Sequence, residues 1–227
     1  MRLLQVGVPA CETAAFRRKI AASMTLTTYT TASPKAALVL AHGAGAGQKS
    51  AFMVRFGRGM ALRNINAATF DFPYITAGRK VPDRAPVLEA AWREALEAAR
   101  REFKGLRLVI GGKSMGGRMA SHIASQGVEG VDGLVFLGYP LHPPGKPDQR
   151  RDAHLPAIQE RMLFVQGSRD TFGTAAEIQQ LLASLPSAEL LEIAGGDHSF
   201  KVPGRGNDPL EGIMDAVAAW TTRNAEG

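Results

Sequence analysis

Cysteine is almost absent, with Cys11 alone among 227 residues. One cysteine excludes an intramolecular disulfide and a multi-cysteine zinc site, so any nucleophile here is built from oxygen or nitrogen. Long apolar runs are missing as well. None approaches the ~20 residues that a membrane-spanning helix needs, and no membrane partner is expected. Aromatic residues make up only 7% of the chain and do not interleave with the basic ones. A stacking platform for single-stranded nucleic acid is therefore lacking, and no nucleic-acid partner is expected. Acidic residues are scarce in the first half. Residues 1–113 hold 18 Lys/Arg against 7 Asp/Glu, whereas 114–227 hold 9 against 14. The basic residues are scattered, with Arg17-Arg18-Lys19 as the tightest group, and read as solvated helix faces rather than a binding arm.

What is present is globular: 45% hydrophobic and 21% charged residues, a net charge of +6, 25 glycines and 13 prolines. That composition excludes a disordered, collagenous or coiled-coil chain, and the length allows a core that needs no staples. Met1-Arg2, the apolar Leu3–Val8 and Pro9-Ala10-Cys11 imitate a lipoprotein signal, but the apolar stretch falls short of the roughly 7–15 residues such signals use. Residues 1–24 read instead as an N-terminal extension, with Met24 as an alternative start. Residues 25–227 read as one domain without linker or repeat. The lone cysteine fits a reducing, cytoplasmic setting.

Strand-like and helix-like segments alternate. Apolar runs at Lys35–Ala41, Asn66–Phe72, Leu106–Ile110, Leu134–Leu137, Met162–Gln166 and Glu189–Ile193 read as strands. Helical stretches lie between them at Ser50–Arg63, Ala85–Phe103, Met115–Ser125 and Thr174–Leu185, and Asp208–Thr221 closes the chain. Residues 79–84 read as a loop. This alternation predicts an α/β fold with a mostly parallel central sheet and helices on both faces.

The sharpest local signal is Leu108-Val-Ile-Gly-Gly-Lys-Ser-Met-Gly-Gly-Arg118, an apolar strand running into Gly-x-Ser-x-Gly and then a helix. A nucleophile elbow has this form: the serine sits on a sharp strand-to-helix turn, and Gly112 and Gly116 remove side chains that would collide there. Ser114 is the candidate nucleophile. The Met115 N–H, at a helix N-terminus, is a candidate oxyanion donor. The rival phosphate loop, Gly-x-x-x-x-Gly-Lys-Ser, requires glycine where Arg107 stands and a loop where 107–110 are strand. Partners follow in the right order. Asp170 lies just beyond the strand Met162–Gln166, and His198 sits in the glycine-rich loop after the last strand. The order Ser114, Asp170, His198 is the one this fold class uses for a nucleophile, acid and base, and each lies at a strand's carboxyl end. Asp197, beside His198, cannot readily reach that ring's Nδ1 and is expected to brace the loop.

His42-Gly-Ala-Gly-Ala-Gly47 follows a strand and offers the Ala44 N–H as the second oxyanion donor. A dinucleotide fingerprint competes here, because Gly43-Ala44-Gly45 follows a strand and Asp71 ends the next one. It leaves the serine elbow, Asp170 and His198 unexplained. His42 is expected to hold its loop by hydrogen bonds. His142 is a candidate on the substrate rim, and Arg118 is expected to brace a neighbouring loop. The connection Pro140–Glu160 is too short for a helical lid, which predicts an open site without a large cap domain.

Gly111–Arg118, Tyr139-Pro-Leu-His-Pro-Pro144, Arg151-Asp-Ala-His-Leu155 and His198-Ser-Phe-Lys201 together resemble one group of α/β-hydrolases. It is the small dienelactone-hydrolase-like group that includes a testis-expressed animal protein and the hydrolase-like domain of a chromatin-associated NSL-complex subunit. The resemblance runs from Leu38 to Trp220 and implies the α/β-hydrolase fold and a Ser-His-Asp triad, but no particular substrate. A serine hydrolase of the carboxylesterase type, acting on a small acyl compound without metal or organic cofactor, is the expected function. Some relatives act as interaction domains, so a catalytically silent hydrolase-fold module is the alternative.

Overall fold

A computed structural model describes residues 24–204 and 208–223. The expected extension, 1–24, lies outside the described residues except for Met24, which packs partly buried against the core. Seven strands form one sheet: β1 (Thr27–Tyr29), β2 (Ala36–Ala41), β3 (Ile65–Phe70), β4 (Leu108–Lys113), β5 (Gly133–Leu137), β6 (Met162–Gly167) and β7 (Ala188–Ile193). Their spatial order is β1-β3-β2-β4-β5-β6-β7, parallel throughout except for β1, which runs antiparallel to β3. The helices are α1 (Ala51–Ala61), α2 (Pro73–Thr76), α3 (Ala85–Glu102), α4 (Met115–Ala124), α5 (Ala175–Leu181) and α6 (Leu210–Thr222).

The inner strands β2, β4, β5 and β6 read as apolar runs because both faces are covered. Alternate residues divide between two cores. Val39, Ile110, Phe136 and Phe164 face the layer of α3, α4 and α5, whereas Leu38, Val109, Val135 and Val165 face α1 and α6. In α3, Leu88, Ala91, Trp92, Ala95, Leu96 and Ala99 are buried at helical spacing. The Trp92 indole N–H then donates to the Gly116 carbonyl oxygen at 3.0 Å, tying α3 to the first turn of α4. Among the described residues no helix is long and apolar enough to cross a membrane.

Two elements have no counterpart in the sequence reading. β1 is three residues long and mostly exposed, so it carries no buried alternation to detect. α2 is a single turn begun by Pro73. The strand order reverses between β2 and β4, opening a crevice beyond their carboxyl ends, where open α/β sheets place their sites.

Candidate active site

Register sets the elbow. Ala41, the last residue of β2, pairs with Gly112 in β4, and Lys113 pairs with Leu137 in β5. A side chain at Gly112 would run into the Ala41 backbone. One at Gly116 would meet the same carbonyl group and lie 2.7 Å from the His42 carbonyl oxygen. Ser114 turns the chain between them at φ 50°, ψ −116°, a conformation that non-glycine residues adopt only under constraint. The constraint is visible: the Ser114 N–H donates to the Leu137 carbonyl oxygen at 3.1 Å, while the Ser114 carbonyl oxygen accepts from the Arg118 N–H at 3.1 Å.

The side chains of Ser114, His198 and Asp170 form one hydrogen-bonded line. His198 Nε2 lies 2.9 Å from Ser114 Oγ, and His198 Nδ1 lies 2.7 Å from Asp170 Oδ2. Asp170 is buried and well supplied with donors. Its Oδ1 accepts from the Phe172 N–H at 2.8 Å, and its Oδ2 also accepts from the Gln166 amide at 2.9 Å. A carboxylate so bonded is held in one orientation. It therefore places the imidazole proton on Nδ1 and leaves Nε2 free to accept from the serine hydroxyl.

Gln166 is a residue the sequence reading missed. Buried on β6, its amide nitrogen donates to the Gly173 carbonyl oxygen at 2.6 Å as well as to Asp170, and its oxygen accepts from the Tyr139 N–H at 2.8 Å. The signal was there: a glutamine ending a strand whose residues are all buried needs partners for its amide.

The loop carrying His198 is fixed from three sides. Asp197 Oδ1 accepts from the Ser199 and Lys201 N–H groups at 2.8 and 2.9 Å, so Asp197 braces its loop. The Phe172 ring packs on the imidazole with centroids 4.3 Å apart. Lys113 Nζ donates to the His198 carbonyl oxygen at 2.6 Å. Burial drives the Lys113 pKa down to about 8, although Asp170 and Asp197 favour its charged form.

On the other side of Ser114, the glycine loop is equally constrained. His42 is fully buried. Its Nε2 accepts from the Phe72 N–H at 3.2 Å, which leaves Nδ1 to donate to the Gly43 carbonyl oxygen at 2.7 Å. Burial lowers its pKa, consistent with that neutral tautomer. The Gly45 N–H donates to the Tyr74 hydroxyl at 3.0 Å. Asp71, which a dinucleotide site would use for a ribose, instead accepts from the Gln48 N–H and side-chain amide at 2.7 and 3.2 Å. Among the described residues the Ala44 and Met115 N–H groups donate to no protein acceptor. Both residues line a cavity of about 490 Å³ together with Ser114 and His198.

Two expectations fail. His142 is not on the cavity rim. It is buried, with Nδ1 2.9 Å from the Pro143 carbonyl oxygen and Nε2 3.1 Å from Glu177 Oε1, so both ring nitrogens serve packing. Arg118 braces no loop and instead lines the cavity with Arg151.

A parallel sheet with a strained serine at a strand-to-helix elbow, a glycine loop beside it and a histidine loop after the last strand is the architecture of α/β hydrolases. Residues 34–225 match the alpha/beta hydrolase domain family, and the chain belongs to that family. Similar solved structures include an α/β serine hydrolase without lid from Xanthomonas campestris. It is 17% identical with a TM-score of 0.68, and the match covers 88% of this chain and 90% of that one. A monoacylglycerol lipase from Paleococcus ferrophilus is 15% identical with a TM-score of 0.64, covering 88% and 98%. An open-form lipase is 13% identical with a TM-score of 0.73, covering 90% and 95%. At these identities the likeness carries the fold.

Proposed function

We propose that the protein is a cytoplasmic serine hydrolase of the carboxylesterase type, within the dienelactone-hydrolase-like group, acting on small acyl substrates. The observation that carries this reading is the unbroken line from Ser114 Oγ through His198 to Asp170, at 2.9 and 2.7 Å. His198 Nε2 takes the hydroxyl proton as Ser114 Oγ attacks the acyl carbon, and Asp170 stabilises the imidazolium that forms. The carbonyl oxygen gains negative charge and is received by the Ala44 and Met115 N–H groups, the latter at the N-terminus of α4. Collapse of the tetrahedral intermediate expels the alcohol, protonated by His198. Water activated by the same base then releases the acid and restores Ser114.

The test is labelling with a fluorophosphonate probe, which phosphonylates an activated serine. Folded wild-type protein should label and Ser114→Ala should not. Folded wild-type protein that stays unlabelled would establish the silent interaction module instead. Short p-nitrophenyl esters of increasing acyl length then define the acyl pocket.

A further inference from the structure

Several arginines in this chain are ion-paired. Arg55, Arg63, Arg79, Arg100, Arg150 and Arg223 all meet carboxylates. Arg118 and Arg151 do not, although both are half-buried in the wall of the cavity that holds Ser114. Among the described residues neither guanidinium makes a hydrogen bond or ion pair, and Arg118 Nε is fully buried without a partner. The two charges sense each other, since burial and then the proximity of Arg151 lower the Arg118 pKa. Two like charges held together in a partly desolvated wall are unfavourable unless an anion joins them.

The surrounding groups do not supply that anion. Asp83 lines the same cavity, but its Oδ1 accepts from Arg79 at 2.7 Å. Its buried Oδ2 has no partner, but it is an acceptor and complements a donor. Glu89, which also acts on Arg118 at a distance, is engaged by His122 at 3.0 Å and by Gln126. Lys113 is committed to the His198 carbonyl oxygen. Arg118 stands one helical turn beyond Ser114, its N–H bonded to the Ser114 carbonyl oxygen, and both residues line the same cavity.

We propose that Arg118 and Arg151 form a carboxylate-binding subsite, and that the ester hydrolysed at Ser114 carries a free carboxylate. This rests on the hydrolase reading of the same cavity. Paired guanidinium groups recognise a carboxylate by charge-assisted hydrogen bonds that a neutral ester cannot make. The carboxylate belongs either to the acyl part, as in a dicarboxylic half-ester, or to the leaving alcohol.

Two substrate pairs and one binding measurement test it. p-Nitrophenyl hemiglutarate against p-nitrophenyl valerate probes the acyl side, and 4-carboxyphenyl butyrate against phenyl butyrate probes the leaving group. The expected result is a kcat/KM ratio of about tenfold or more for the anionic member of one pair, with the pair showing which side carries the charge. Arg118→Gln and Arg151→Gln should each lower that ratio at least fivefold. The loop residue Arg151 keeps the test open if Arg118→Gln fails to fold. Calorimetry with Ser114→Ala should show binding of monomethyl glutarate but not of dimethyl glutarate, and Arg151→Gln should remove it. If wild type labels with fluorophosphonate yet neither ratio exceeds about twofold and no half-ester binding is seen, the subsite is refuted while the hydrolase reading stands. If labelling fails but arginine-dependent binding of monomethyl glutarate remains, the subsite stands and hydrolysis does not. Loss of both labelling and binding overturns both.

Discussion

Replacing Gly116 with alanine tests how tightly the elbow is built against β2. The added methyl carbon would sit 2.5 Å from the Ala41 carbonyl carbon and 2.7 Å from the His42 carbonyl oxygen, where ordinary contacts begin at 3.4 Å. The shortfall is about 0.7–0.9 Å against these two backbone atoms and greater still against the Ala41 carbonyl oxygen, and no rotamer change relieves it. Overpacking of this kind costs about 1–3 kcal/mol. For a domain of this size each kcal/mol lowers Tm by roughly 2–4 °C, so the expected fall is about 2–12 °C. The strain also falls on the strand end that leads into the Ala44 loop. A displacement near 1 Å there would move the proposed oxyanion donor Ala44 out of position, and about a hundredfold loss of rate is expected. Gly212→Ala is the matched control. It is an exposed helical glycine on α6 with nothing within 4 Å, and should gain up to about 1 kcal/mol from helix propensity. Thermal melts and second-order fluorophosphonate labelling rates read both effects. A Gly116→Ala protein melting within 1 °C of wild type and labelling at the same rate would refute the close-approach argument.

Two further outcomes follow from the geometry. Asp170→Asn should keep the fold but lose about 10⁴ in kcat, because an amide that donates toward His198 Nδ1 stabilises the wrong tautomer; circular dichroism and ester turnover separate the two effects. His154 gives a pH signature. Burial, then His122 and Arg118, push its pKa down to about 4, and its Nε2 sits 2.7 Å from Ser121 Oγ. The unfolded chain therefore takes up a proton near pH 6.5 that the folded one refuses. Its contribution is fully present above 6.5 and is lost as pH falls toward 4. Urea melts of His154→Gln should show a shallower loss of stability than wild type across that window, and parallel curves would count against the assignment.

The buried strands were legible because a parallel sheet covered on both faces leaves continuous apolar runs. β4 shows where that signal stops. Its apolar run ends at Ile110, yet Gly111 and Gly112 continue the pairing with Val135 and Phe136. A Gly-Gly pair looks like a turn in sequence, whereas here it is strand stripped of side chains, since one at Gly111 would collide with the Val135 carbonyl. Ser114, Asp170 and His198 could be picked out because each follows a strand in a fixed chain order. Gln166, Arg118 and His142 were misjudged for a different reason. Their partners, or their lack of partners, are set by residues far along the chain, such as Glu177, 35 positions from His142. Hydrophobic period reports which side of an element is buried, but not which polar group waits opposite.

The sheet order has a kinetic consequence. Ser114 follows β4 and His198 follows β7, and the two strands are separated by β5 and β6. The parallel pairings that bring these loops together each join residues 24–28 positions apart, and the Ser114–His198 contact they complete spans 84, the kind of non-local contact that forms late in folding. An intermediate holding only β2, β3, β4, α4 and β5 would contain the elbow, its Leu137 partner and the glycine loop but no base within reach of the serine. Recovery of fluorophosphonate labelling on refolding should therefore lag behind recovery of secondary structure and track the docking of β7, the last of the seven described strands in chain order.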